Sequence, residues 1–258
     1  MLHSWFKRKN KQKFAPEGQL IYAIGDVHGR DDLLLELMAK ITADQRATAE
    51  GRPVNIVLLG DYIDRGMGSK AVVDILLGWK NSTDPGEFDV NMYFLKGNHE
   101  EAILHFLADP EFGQQWVSYG GTETLLSYGL QQPKNNEDLA AWEATARALC
   151  SAMGPQHIAF MQDLLPSVTL GDYIFVHAGL RPGKKLEQQI EQDMLWIREE
   201  FLNDTASFEK KVVHGHTAKQ EPYQDHRRIG IDTGAYITGV LTAVRLETDT
   251  VSFLQTGL

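Results

Sequence analysis

Cysteine is nearly absent from this 258-residue chain. Cys150 stands alone, so an intramolecular disulfide is impossible, and the count fits a reducing, cytoplasmic interior. No apolar run is long enough to span a membrane. The N-terminus, MLHSWFKRKNKQK, is basic but lacks the apolar core of a secretory signal. Residues 1–18 therefore read as a basic, disordered tail, with a weak contact to acidic lipids as the lesser alternative. Positive charge is also scarce: 25 Lys and Arg against 35 Asp and Glu leave a formal net charge of −10. That balance argues against a general nucleic-acid binder and reads as a solvated acidic surface. There is no internal repeat and no low-complexity tract. What remains is a 43% hydrophobic chain of ordinary globular composition, long enough for one two-sheet α/β domain over residues 19–258.

The hydrophobic pattern divides this domain. Leu20–Ile24, Val54–Leu59 and Val90–Leu95 are short apolar runs that read as buried strands. Between them, Asp31–Ile41 places Leu33, Leu34, Leu37, Met38 and Ile41 on one helical face. Ser69–Trp79 reads as a second helix, with Ser69 as its cap. Strand–helix alternation implies right-handed βαβ crossovers. Residues 101–165 read as a helical insertion without strands. Strands then return at Val168–Leu170, Tyr173–Val176, Lys211–Val213, Arg228–Ile231 and Gly239–Leu246, and Thr250–Leu254 closes a hairpin.

Three of the runs end in clusters that carry chemistry: Gly25-Asp26-Val27-His28-Gly29, Gly60-Asp61-Tyr62-Ile63-Asp64-Arg65-Gly66 and Gly97-Asn98-His99-Glu100. Asp, His and Asn side chains at successive strand ends form a ligand set for two divalent metals, with Arg65 placed for a phosphate. Asp26 and His28 lie two apart, so an extended turn aims both the same way. Mixed imidazole and carboxylate ligands favour Mn²⁺, or Fe or Zn, over Ca²⁺.

GDVHG, GDYIDRG and GNHE resemble the signature blocks of the phosphoprotein phosphatase family of calcineurin-like metallophosphoesterases, most closely its compact bacterial and phage members. Val176-His177-Ala178-Gly179-Leu180 and His214-Gly215-His216-Thr217 extend the resemblance in family order. It implies a β-sandwich of two mixed sheets flanked by helices. It also implies a dinuclear metal site: Asp26 and His28 on one metal, Asp61 bridging, and Asn98, His177 and His216 on the other. His214 is the competitor for His216. The resemblance makes His99 the general acid, oriented by Asp64. Arg65 and Arg198, the latter in Leu195-Trp196-Ile197-Arg198-Glu199, hold the phosphate, with Arg181 as competitor for Arg198 and Tyr236 at the rim. Asp31 and Asp32 read as helix-start residues, and His3, His105, His157 and His226 as surface or core.

The implied reaction is direct in-line attack on phosphorus by a solvent molecule bridging the metals, without a phosphoenzyme. Cys150 is not part of a Cys-x5-Arg loop, which excludes a cysteine-based phosphatase. Asp64 and Glu100 favour a phosphorylated serine/threonine protein as substrate, with phosphotyrosine also open. The alternative is a symmetrical dinucleoside tetraphosphate hydrolase of the same superfamily, which typically lacks the aspartate of DRG and has GNHD. A catalytically inactive binding protein is the third class. Regulatory partners are not identified by any motif.

Overall fold

The computed structural model describes residues 13–82 and 89–257. Its first half is β1 (Leu20–Ile24), α1 (Asp31–Thr48), β2 (Val54–Leu58), α2 (Ser69–Lys80) and β3 (Val90–Phe94). Helices α3 (Asn98–Ala108), α4 (Gly113–Trp116), α5 (Thr122–Ser127) and α6 (Leu139–Gln162) follow. Then come β4 (Ser167–Leu170), β5 (Tyr173–Val176), α7 (Glu191–Trp196), α8 (Glu199–Leu202), β6 (Lys211–His214), β7 (Tyr223–Gln224) and β8 (Arg228–Gly230). The chain closes with α9 (Ala235–Thr238), β9 (Thr242–Glu247) and β10 (Thr250–Gln255). Two mixed sheets result, ordered β10-β9-β1-β2-β3 and β4-β5-β6-β8-β7.

The two sheets pack face to face, and side-chain alternation explains why the central strands are apolar throughout. On β1, Ile21 and Ala23 meet Val57, Leu59, Phe175, Val213 and Ile229 between the sheets. Leu20, Tyr22 and Ile24 point the other way, into a core built with Leu34, Leu37, Val72, Phe106 and Phe160 from the helices. A third cluster backs the second sheet, where Ile174, Val176 and Val212 lie against Ile197 and Phe201. Each fully buried aliphatic side chain contributes about 1.5–3 kcal/mol relative to exposure. β1 and β2 run parallel, as do β2 and β3, so their C-terminal ends and the following loops gather at one edge of the sandwich.

Several boundaries differ from the sequence pattern. Helix α1 continues to Thr48, because Gln45 is buried on the inner face where the apolar period lapses. The strand expected from Gly239 begins only at Thr242. Gly239 takes a left-handed φ of 72° at the end of α9, and the hydroxyl of Thr238 donates to the carbonyls of Thr233 and Gly234 just before that helix. β7 is two residues long and exposed, so it left no hydrophobic signal. Ser69 is the first helical residue of α2 rather than its cap, which is Gly68. Of the expected tail, residues 1–12 lie outside the described residues. Ala15 is buried, and its N–H donates to Thr248 O at 2.7 Å, so the chain joins the sandwich before residue 18.

Candidate active site

The loops after β1, β2 and β3 meet those after β5 and β6, and sharp backbone turns aim their polar side chains inward. His28, Asp61, Asp64, Arg65 and His216 all have positive φ, between 46° and 69°. Such conformations are costly for residues with a Cβ and concentrate at sites where surrounding bonds hold them. Gly97 is required by close approach, since a Cβ there would fall on the carboxylate and backbone nitrogen of Asp61.

Glu100 organises these turns. It is buried at the start of α3 and accepts the N–H groups of Gly97 (2.9 Å), Asp61 (2.9 Å) and Tyr62 (2.8 Å). The first of these is the reach-back half of a capping box at the start of α3, since Gly97 has no side chain to return the bond. Burial, and then the charge of Asp61, push its pKa up to about 7.

Asp61 is the centre of the site. Nε2 of His177, His28 and His99 lie 3.4, 3.5 and 3.8 Å from its Oδ2. Ligand atoms of His28, Asp61 and His99 lie within 4.8 Å of one another, and so do those of Asp61, His177 and His216. Asn98 Oδ1 is 2.9 Å from His177 Nε2, and His216 Nδ1 is 3.2 Å from it. Asp26 turns its carboxylate to the N–H of His216, at 3.0 Å, rather than into either close cluster. His214 is not part of either cluster. It is buried against Phe201, and Nη1 of Arg228 donates to its Nε2 at 3.0 Å.

The charge pattern fits bound cations. Nδ1 of His28 and of His177 donate to the carbonyls of Ile63 (2.9 Å) and Leu59 (3.0 Å). Their Nε2 atoms then face the Asp61 carboxylate, an arrangement that either a proton on the imidazole or a metal cation between the groups satisfies. Burial, and next the neighbouring Asp232, hold Asp26 well above the usual carboxylate range. Burial also raises Asp61, but the imidazoles of His177, His99 and His28 outweigh it and hold that group well below the range. Burial lowers His177, yet Asp61 outweighs it and pushes the pKa up to about 9. Nε2 of His216 is buried without a hydrogen-bond partner among the described residues. An imidazole–carboxylate–amide donor set with an orphaned nitrogen accommodates two hard or borderline divalent metals.

Beside this set lies a caged dyad. His99 Nδ1 donates to Asp64 Oδ2 at 2.7 Å. Trp116 Nε1 donates to the same oxygen at 3.1 Å, and the Thr124 hydroxyl donates to Oδ1 at 2.6 Å. The Asp64 N–H in turn donates to the hydroxyls of Thr124 (2.9 Å) and Ser69 (3.1 Å). Burial lowers the His99 pKa, but Asp61 and Asp64 outweigh it and leave the pKa raised. A raised pKa and a hydrogen-bonded Nδ1 suit His99 Nε2 to donating a proton.

Arg65 lies at the mouth. Its Nη1 is 3.1 Å from His28 Nε2, and its Cζ stands 4.9 Å from the centroid of the Tyr236 ring. Its N–H donates to Gly120 O at 2.9 Å and its Nε to Tyr119 O at 3.4 Å. Both carbonyls belong to a π-helical turn, Val117–Gly121, in which Gly120 has φ 109°. A Cβ on Gly120 would strike the backbone and side chain of Arg65. Arg198 is exposed, and its Nη1 donates to the carbonyl of His216 at 3.3 Å. Arg181 is instead held by Asp193 at 2.7 and 2.5 Å.

Sequence reasoning missed Thr124, Ser69 and Asp232 as parts of the site, and placed Trp116 only among the aromatics near the opening, without its bond to Asp64. Asp232 alone carried a signal: its Asp-Thr-Gly follows an apolar run, as Asp26 and Asp61 do.

The calcineurin-like phosphoesterase family model matches residues 20–241. A bis(5'-nucleosyl)-tetraphosphatase of the asymmetrical type, PrpE of Halalkalibacterium halodurans, is 26% identical over 242 residues, covering 86% of this chain and 88% of its own. A solved structure provisionally described as a diadenosine tetraphosphatase superposes with a TM-score of 0.57 at 18% identity, covering 93% of this chain and 95% of its own. A protein serine/threonine phosphatase of Saccharomyces cerevisiae gives a TM-score of 0.53 at 16% identity, covering 93% and 80%.

Proposed function

The chain belongs to the calcineurin-like phosphoesterase family, and from that premise we propose that it hydrolyses dinucleoside polyphosphates at a dinuclear metal site. The end-to-end similarity to an asymmetrical bis(5'-nucleosyl)-tetraphosphatase carries this reading. Cleavage then gives unequal products, a nucleoside monophosphate and a triphosphate, rather than the two diphosphates of symmetrical cleavage.

This ordering reverses the preference drawn from Asp64 and Glu100. Glu100 spends its oxygens on backbone N–H groups, a structural task independent of substrate. Asp64 orients His99, which serves any departing oxygen.

Asp26, His28 and Asp61 would hold one cation, and Asp61, Asn98, His177 and His216 the other. Mn²⁺ is the proposed metal, with Fe and Zn compatible with the same ligands. Bound there, the cations polarise phosphoryl oxygens and lower the pKa of coordinated solvent. Arg65 and Arg198 hold phosphate oxygens and the charge that shifts onto them at the transition state. Tyr236 backs the Arg65 guanidinium through its ring face. His99 Nε2 delivers a proton to the leaving oxygen while Asp64 retains the charge-assisted bond to Nδ1.

The second reading is a phosphoprotein phosphatase. One observation favours it: the Asp64–His99 pair is held by Trp116, Thr124 and Ser69. General acid catalysis matters most for a poor alkoxide leaving group, such as that of serine. Side-by-side kinetics with Mn²⁺ on diadenosine tetraphosphate and a phosphoserine peptide test both. The expected result is a higher kcat/KM for the dinucleotide, with ATP and AMP as products. A preference for the peptide overturns the first reading in favour of the second.

A further inference from the structure

A cleft of about 450 Å³ opens beside the reaction centre, lined by Glu101, His105, Phe112, Tyr119, Gln192 and Trp196. Its volume falls within the roughly 300–1,000 Å³ of small-molecule sites. Aromatic rings form its walls: Tyr119 and Trp196 have centroids 6.1 Å apart, and Phe112 and Tyr119 6.4 Å apart. His105 stacks on Phe112 at 4.2 Å. Tyr119 and Trp196 are only half-buried, so their faces reach solvent. Trp196 is fixed by its Nε1–H bond to Glu101 Oε2 at 2.5 Å, and the Tyr119 hydroxyl accepts from Gln115 at 2.5 Å. The walls are thus rigid and flat, with polar groups at their edges.

The position of the cleft decides which part of a substrate it meets. The Tyr119 ring lies 6.4 Å from that of His99, and the Tyr119 carbonyl accepts from Arg65. Trp196 stands two residues before Arg198. The cleft therefore adjoins the side on which His99 meets the departing oxygen.

We infer that this cleft is a stacking subsite for the nucleobase of the leaving nucleotide, the nucleoside triphosphate expelled when water adds to the α-phosphorus of the other nucleoside and the bridging Pα–O bond breaks. The inference rests on the dinucleotide reading above, to which it adds the location of one base. Flat aromatic walls suit any base through its π face, and the carboxylate and amides at the edge accept or donate to its ring and exocyclic groups.

The test compares ATP with inorganic tripolyphosphate as competitive inhibitors of aryl phosphate hydrolysis by the Mn²⁺-loaded protein. Both carry the triphosphate, and only ATP carries a base. ATP is expected to inhibit at least about tenfold more strongly, an advantage of the size that base stacking on aromatics supplies. Trp196→Leu and, separately, Tyr119→Leu leave an apolar side chain but remove a flat wall, and each should abolish most of that advantage. Using both variants guards against misfolding of either. Equal inhibition by the two compounds in the unmodified protein, or an advantage that survives both substitutions, overturns the subsite. Failure of the dinucleotide reading is scored separately, by absence of diadenosine tetraphosphate turnover.

Discussion

Replacing Trp116 by Phe removes one hydrogen bond and part of a buried ring, so folded-state stability is measured beside activity. The ring stacks on Phe106, with centroids 4.9 Å apart, and is fully buried, so phenylalanine retains much of the packing. What is lost is the Nε1–H donor to Asp64 Oδ2. A hydrogen bond to a charged group is worth roughly 1.5–3 kcal/mol. Asp64 keeps two shorter side-chain bonds, from His99 at 2.7 Å and Thr124 at 2.6 Å, so the lower end applies. A cost of about 1.5 kcal/mol corresponds to about a tenfold fall in kcat. It should be well short of the roughly 10²–10⁴-fold fall expected for His99→Asn, which removes the proton donor itself. The assay is kcat and KM over a series of aryl phosphates of rising leaving-group pKa, with metal content measured on the same samples. The loss should grow as the leaving group worsens, because only poor leaving groups need the proton. An equal loss across the series, or none with metal content intact, refutes the view that Trp116 acts through the dyad.

Asp61→Asn removes the carboxylate that both ligand clusters share, so metal content per chain after gel filtration should fall at both sites. A fully loaded and active variant would exclude Asp61 as the bridge. Arg198→Ala should weaken inhibition by inorganic phosphate and lower kcat/KM, with poor rescue by lysine. Arg181→Ala should leave phosphate inhibition near that of the unmodified protein, because Arg181 is occupied by Asp193; the reverse pattern would exchange their roles. Glu100→Asp withdraws the carboxylate by one methylene and leaves buried N–H groups of Gly97, Asp61 or Tyr62 unpaired. The cost of about 1–3 kcal/mol should lower Tm by roughly 2–10 °C, and an unchanged Tm would show that the turn holds without it.

The strand-end clusters were legible in sequence because their geometry is local. Gly25, Gly60 and Gly97 each follow an apolar run, and the polar residues behind them have nowhere to point but the sheet edge. The cage around Asp64 was not legible, because Trp116 and Thr124 come from 52 and 60 residues further along. No motif or local spacing ties either of them to Asp64. Ser69 misled for a related reason: it sits where a cap belongs, yet its hydroxyl accepts from Asp64 and donates to Gly66 O at 3.1 Å. The choice between substrates was the least legible part, since Glu100 bonds backbone N–H groups and Asp64 bonds His99, contacts that do not depend on what the phosphate is attached to.

The π-helical turn at Val117–Gly121 has a consequence for how this scaffold can change. Two successive carbonyls of that turn fix Arg65, the proposed phosphate arginine, while the Tyr119 side chain in the same turn walls the adjoining cleft. Recognition and turnover therefore share one mechanical part. The segment around it is not a cartridge that can be exchanged between relatives to swap preferences, because any graft that alters its wind also re-aims Arg65. If the cleft takes a nucleobase as proposed, altering selectivity calls for single side-chain changes on Tyr119, Phe112 or Trp196, leaving the backbone of the turn untouched.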